Sequence, residues 1–243
     1  MSARQRIDGQ LAWILHSYPY SETSLILDVL SRDYGRLPLL ARGARRPRSA
    51  LRGVLQAFQP IELGWFGGGE VRTLAKAEWV GGMPLLGGAA LMLGYYLNEL
   101  MLKLLPREDA HPALFEAYAA SLQALARGEP HESRLRLFEK TLLKELGYGL
   151  VLERDALSGQ PVRHGACYRY LLERGPVEVS PDEADGTSQT TLRGKTLLDL
   201  ARDDYSDAQT LAESKALMRR LINHHLSGQP LQSRRVFIEL QEL

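Results

Sequence analysis

Gln10-Leu-Ala-Trp-Ile-Leu-His-Ser-Tyr18 and Ser24-Leu-Ile-Leu-Asp-Val-Leu30 place apolar side chains at every second position. These are Leu11, Trp13 and Leu15 in the first run, and Leu25, Leu27 and Val29 in the second. Side chains of a strand alternate between its two faces, so this period predicts half-buried strands. The same pattern continues downstream. Leu37 and Leu39 form a short third run, Ile61, Leu63 and Trp65 a fourth, and Val71, Thr73 and Ala75 a fifth. Gly67-Gly68-Gly69 separates the last two and suits a hairpin turn, because glycine accepts positive φ without strain. Five short strands in about 70 residues predict a small Greek-key barrel of the OB type. An SH3-like barrel has the same periodicity, which does not separate the two.

Between the third and fourth runs lies Arg42-Gly-Ala-Arg-Arg-Pro-Arg-Ser-Ala-Leu-Arg52, with five arginines and no acid. Counting from Arg36, six basic residues run unopposed from Asp33 to Glu62. Gly43, Pro47 and Gly53 argue against one continuous helix, so a turn is expected. Guanidinium forks match phosphate oxygens and also stack on bases, which suits a polyanion. A solvated surface turn is the other reading of the same residues. The candidate phosphate contacts are Arg42, Arg45, Arg46, Arg48 and Arg52, with Arg36 and Arg72 as weaker candidates on neighbouring strands. Net charge over the 243 residues is only +1, but residues 1–80 carry 11 Lys/Arg against 7 Asp/Glu, which localises the positive charge.

Residues 84–146 read as helical. Leu85–Leu105 is apolar nearly all round, as for a central helix, and Pro106 ends it. Pro112–Ala126 and Glu132–Leu146 follow at helical spacing, with Gly128 and Gly147 as stops. Residues 148–194 read as irregular, because Gly159, Pro161, Gly165, Gly175, Pro176, Pro181 and Gly186 interrupt every periodic run. The polar stretch Ser180–Gln189 is expected to be mobile. Helices return at Lys195–Ala201 and at Ser206–Leu226, where Ser206 is the expected N-cap, and Ser233–Leu243 closes the chain.

Enzyme chemistry finds little support. Gly194-Lys195-Thr196 has the tail of a phosphate-binding loop, but Gln189 stands where the first glycine is needed. The histidines are scattered, and His164 with Cys167 falls short of a zinc ligand set. A single cysteine excludes an internal disulfide and fits a reducing compartment. Met1–Gln10 is polar, so no signal peptide is expected. The uncharged run Val80–Leu97 is diluted by glycine and reads as a buried helix rather than a membrane span.

Several segments carry a resemblance to a known family. They are Leu15-His-Ser-Tyr-Pro-Tyr-Ser-Glu-Thr-Ser-Leu-Ile-Leu27, Gly35-Arg36, Gly43-Ala-Arg45, Tyr96-Leu-Asn-Glu-Leu100, Arg136-Leu-Phe-Glu139, Leu146-Gly-Tyr-Gly149 and Leu231-Gln-Ser-Arg234. In this order, over nearly the whole length, they resemble the bacterial RecO family of recombination mediators. The resemblance implies an α+β fold: an OB domain over residues 1–80, a helical domain over 81–147 and 195–243, and a small zinc-finger-like insertion over 148–194. Many relatives carry paired CxxC motifs in that insertion. Here Asp155 and Ser158 align with the first pair and the second is absent, so a degenerate insertion without structural metal or cofactor is expected.

The resemblance also implies function. Such a protein binds single- and double-stranded DNA, anneals complementary strands coated by single-strand-binding protein (SSB), and with RecR helps load RecA at gaps. It would work in the cytoplasm, at the nucleoid, without membrane or catalysis. The acidic SSB tail ends in an apolar residue with a free carboxylate, and would need an apolar pocket rimmed by cations. Leu135, Phe138, Arg136, Lys140 and Lys144 on one helix offer those ingredients, with Arg136 for the carboxylate and Lys215 and Arg219 to complete the rim. An RNA-binding OB protein and a helical adaptor for protein partners are the competing classes.

Overall fold

The computed structural model describes residues 6–180 and 191–241. Nearly all of the polar stretch expected to be mobile, and the last two residues of the expected final helix, lie outside them. Five strands close a barrel in the order β1-β2-β3-β5-β4: β1 Arg6–Tyr20, β2 Ser24–Ser31, β3 Gly35–Ala41, β4 Ile61–Phe66 and β5 Arg72–Trp79. Every pairing is antiparallel except β3 with β5, where Leu39 meets Arg72 and Leu40 meets Thr73. This is the OB-like topology, and closure removes the free strand edges of an open sheet. A four-residue helix, α1 Leu51–Val54, lies between β3 and β4.

The interior of the barrel holds Ala12, Ile14, Leu27, Val29, Leu37, Leu39, Ile61, Leu63 and Trp65. The expected inward face of β2 is therefore correct, whereas those of β1 and β5 are reversed, since Leu74 and Ala77, not Val71, Thr73 and Ala75, pack against the barrel core. Ala12 and Ile14 point inward, and Trp13 packs outward against Phe115 and Tyr118, with ring centroids 6.5 and 5.6 Å away. Both faces of this part of β1 are covered, so alternation cannot tell which one looks inward. A bulge between Ile14 and His16 then shifts the register, and beyond it Ser17 pairs with Leu27 and Tyr18 with Ile26.

The helices beside the barrel are α2 Gly88–Leu104 and α3 Pro112–Ala126. The first starts later than apolarity suggested, because the exposed Leu85 stands in the irregular segment before Gly87 and Gly88. Asn98 of α2 donates to the Leu15 carbonyl at the β1 bulge (2.8 Å) and accepts from the buried Tyr118 hydroxyl. Glu99 accepts from the Gln232 and Ser233 amides (2.8 Å each) and from the Ser233 hydroxyl (2.6 Å). These bonds hold the start of the last helix, Gln232–Gln241, satisfying amides that have no partner inside it. The Tyr96–Leu100 and Leu231–Arg234 segments are thus two halves of one joint.

Arg36 of β3 ties the barrel to α2. Its Nε and Nη2 grip both carboxylate oxygens of Asp28 at 2.8 and 2.9 Å, while Nη1 donates to the Leu102 and Leu105 carbonyls at the end of α2. Asp28 is 2% exposed. Gly35, just before it, has φ of +64°, and the Asp109 carbonyl oxygen lies 1.9 Å from where a Cβ would stand. Any side chain there would collide with backbone.

Met1–Glu129 and Leu231–Leu243 form one compact unit, and Pro130–Pro230 a second. The second contains α4 Glu132–Glu145, β6 Cys167–Leu171, β7 Gly175–Val179 and β8 Thr191–Arg193. It continues with two further helices, here α5 Gly194–Ala201 and α6 Ala208–His225. The segment expected to be irregular thus contains a three-stranded antiparallel sheet, ordered β7-β6-β8. Gly175 and Pro176 looked like breakers, but they open β7 at the end of the sheet, where Leu171 meets Gly175. Tyr168, Tyr170 and Leu192 pack with Leu197, Leu200, Leu217 and Met218 in the core. Asp207 caps α6 by accepting from the Thr210 amide, in place of the expected Ser206, which bonds to Asp204 instead. Gly194 is explained by the Arg163 carbonyl, 1.9 Å from a hypothetical Cβ, and Lys195 pairs with Asp199 and Asp207. This accounts for the Gly-Lys-Thr sequence without a bound phosphate.

Asp155 organises the loop ahead of that sheet. One carboxylate oxygen accepts from the Leu157 and Ser158 amides and the Ser158 hydroxyl, and the other from the Glu178 amide (2.6 Å). Burial raises the pKa of this carboxyl, but the bonds from Ser158, Glu178 and Leu157 outweigh it and bring it down to about 2. The folded value lies below the ordinary 3.8, so the stabilisation is present above about pH 4 and is lost as pH falls through 2. Asp155→Asn is expected to cost about 2 kcal/mol near neutrality and to flatten the acid limb of the unfolding profile. A variant with the acid sensitivity of the parent would contradict this role.

Two buried pairs give a second prediction. Arg36→Ala leaves Asp28 without its fork, and Arg136→Ala leaves Glu139, which is 1% exposed, without the guanidinium 2.6 Å away. Each is expected to cost about 3 kcal/mol in denaturant unfolding, because a buried carboxylate loses its nearest guanidinium, although Asp28 keeps Arg107 at 3.9 Å. A change below about 1 kcal/mol would show that the pair is not structural.

Candidate nucleic-acid interface

The arginine turn begins where β3 leaves the barrel at Ala41. Gly43, with φ of +68°, allows the chain to reverse. The Arg46 amide then bonds to the Gly43 carbonyl, Ser49 to Arg46 and Arg52 to Ser49. The Arg45 amide donates to the Thr23 carbonyl (2.8 Å), and its guanidinium donates to the Ser21 carbonyl (3.2 Å). The turn is therefore fastened to the β1–β2 hairpin. Ala44 is 1% exposed and sits in the barrel core, with Leu51, Val54 and Leu55 packed against that core.

The side chains of Arg42, Arg45, Arg46, Arg48 and Arg52 are all exposed. Among the described residues none of the five makes an ion pair. Five guanidinium groups with most donors directed to water form a concentrated positive field. Glu22, in the hairpin turn to which Arg45 is bonded, is exposed. The geometry suits an extended chain of phosphates and includes no group placed to break bonds.

The two weaker candidates are placed differently. Arg36 is part-buried, with its donors committed to Asp28, Leu102 and Leu105, so it is a structural residue and not a surface contact. Arg72 is largely covered and lies 2.9 Å from Glu108, which neutralises it.

The apolar pocket expected on α4 is not at the surface. Phe138 is fully buried, Leu135 nearly so, and Arg136 is held inside by Glu139. Lys140 is spent on the Leu200 carbonyl and on Asp203, at 2.6 Å each. The buried arc of α4 runs from Phe138 through Leu142, Leu135, Glu139 and Leu143 to Arg136, about 160° on a helical wheel. The basic ridge therefore starts inside the core, and only Lys144 stands clear. Lys215 and Arg219 on α6 are exposed.

Sequence reasoning missed two features of the barrel site. One is Ala44, whose signal was a single apolar residue inside a basic run. The other is an exposed aromatic row, His16, Tyr18 and Tyr20, at the strand period of two.

Zinc does not fit the aligned positions. The Asp155 carboxylate is already filled by N–H and O–H donors, and the Ser158 hydroxyl donates to it. Among the described residues no three His, Cys, Asp or Glu side chains converge as metal ligands, and no helix is long and apolar enough to cross a membrane.

Comparison with known proteins agrees with this architecture. Residues 9–83 match the family described as "Recombination protein O N terminal", and residues 87–235 match "Recombination protein O C terminal". The chain is 58% identical to a protein of Aromatoleum aromaticum and 57% identical to one of Azoarcus sp., over 243 residues and the full length of both chains in each case. It is 56% identical to one of Dechloromonas aromatica over 246 residues, again covering both chains completely. All three relatives are named "DNA repair protein RecO". With both halves matched and full-length relatives above half identity, the chain belongs to the RecO family.

Proposed function

We propose that this chain is a DNA repair and recombination mediator that binds single- and double-stranded DNA through the arginine turn. It anneals complementary SSB-coated strands and, with RecR, promotes RecA loading at gaps in the cytoplasm, at the nucleoid. The observation that carries this reading is the set of five exposed arginines without carboxylate partners on an OB-like barrel. Names of close relatives support the same direction.

The physical basis is electrostatic. Two complementary strands repel each other through their phosphates. A cluster of fixed cations lowers that repulsion and releases condensed counterions. Phosphate contacts carry no base information, so pairing between the strands supplies the sequence selection. This makes the protein a binding device and not an enzyme. Arg45→Ala/Arg46→Ala/Arg48→Ala is expected to lower the log–log salt slope for single strands by about 2, at about 0.7 per lost contact. Binding as tight as the parent's at low salt would leave the turn as a solvated surface.

The SSB tail is the proposed protein ligand in the second unit. With Arg136, Leu135 and Phe138 in the core, its acidic residues would be read by the exposed Lys144, Lys215 and Arg219. Lys144→Glu/Lys215→Glu/Arg219→Glu is expected to lose binding of a labelled tail peptide and annealing of SSB-coated strands. Annealing of naked strands should survive. Full tail affinity in this variant would place the contact elsewhere.

A further inference from the structure

The β1–β2 hairpin beside the arginine turn carries an exposed aromatic row. Tyr18 is 46% exposed and Tyr20 50%. Single exposed aromatics are ordinary on protein surfaces, but these two share a face and a neighbourhood. Beyond the β1 bulge, Ser17 and Pro19, themselves exposed, pair with Leu27 and Leu25, whose side chains pack with the barrel core. His16, Tyr18 and Tyr20 therefore stand on the outer face, opposite Asp28, Ile26 and Ser24. In the next strand Ile26 pairs with Leu40. The ladder ends with Leu25 opposite Ala41, and Arg42 follows as the first residue of the turn. The arginine turn thus leaves the sheet beside the hairpin that carries the aromatic row, and Arg45 bonds it to Ser21 and Thr23 there.

The row is also pre-set. The His16 ring meets the Tyr18 ring edge-on, with centroids 4.3 Å apart. The Arg45 guanidinium and amide hold the hairpin turn through the Ser21 and Thr23 carbonyls. Neighbouring outward residues on a strand are about 6.6 Å apart, a step comparable with that between bases of a stretched single strand.

We propose that Tyr18 and Tyr20 form a stacking platform for successive bases of a single strand whose phosphates the arginine turn holds. This rests on the DNA reading of the turn and adds to it a means of distinguishing single strands. Every base has a flat π face, so stacking tolerates any sequence. In a duplex those faces are already covered by neighbouring bases, and only the phosphate contacts remain. The platform therefore favours unpaired DNA while the arginines bind both forms.

The test compares a short labelled oligothymidylate, an abasic phosphodiester strand of the same length and a duplex, by fluorescence anisotropy at fixed salt. Tyr18→Ala/Tyr20→Ala is expected to weaken oligothymidylate binding on the order of tenfold or more. It should leave the abasic strand and the duplex unchanged. Tyr18→Phe/Tyr20→Phe, which keeps the rings, should bind like the parent. Equal weakening on the abasic strand, or no weakening on oligothymidylate, would overturn the platform. The triple arginine variant separates this from the parent reading, since it should lose affinity for all three probes. If that variant kept full affinity, the DNA reading of the turn would fail and the platform with it.

Discussion

A single methyl group joins the charged surface to the barrel. Ala44 lies inside the run of arginines, yet it is buried among the core side chains. Burial of one methyl contributes only about 0.8 kcal/mol. Its larger effect is geometric. With Ala44 turned inward and Leu51, Val54 and Leu55 packed on the same core, the flanking arginines have water as their direction. The like charges of the turn repel one another, and the Arg45 bonds to the hairpin hold it against that repulsion. Without these anchors the same arginines would sample many positions, and binding would have to order them first.

Arginine serves two opposite purposes in this chain, and the partner decides which. Arg36 and Arg136 each face a buried carboxylate: the Arg36 fork joins the barrel to α2, and Arg136 pairs with Glu139 one turn along its own helix. The arginines of the turn have no such carboxylate. One residue type in one sequence neighbourhood thus divides into internal ties and external contacts. The division follows burial, because a guanidinium inside the protein requires a countercharge and one in water does not.

Much of the barrel was legible in the sequence. The strand positions, the glycine hairpin and the basic turn follow from period-two alternation and breaker residues. The inward face of β1 was not legible, because Trp13 and Ile14 are both apolar and both buried, on opposite sides. The small sheet of the second unit was hidden by Gly175 and Pro176, which read as breakers and instead begin a strand. For the candidate sites, charge could be counted but partners could not. Asp28 is eight residues from Arg36, and Glu139 is one helical turn from Arg136. Only the folded geometry brings Asp28 to Arg36 and shows that the Arg136–Glu139 pair is buried. The loop at Asp155 gives a related lesson. Two residues expected from the resemblance at metal-ligand positions hold their turn through hydrogen bonds, which also lower the Asp155 carboxyl pKa.

The most direct measurement of the central claim follows the arginine Nε–Hε resonances in a nitrogen–proton correlation spectrum during titration with a single-stranded oligonucleotide. Phosphate contact by the turn predicts large shifts for Arg42, Arg45, Arg46, Arg48 and Arg52. The Arg36 resonance, locked to Asp28, should stay in place. Unmoved turn resonances under saturating oligonucleotide would contradict the account.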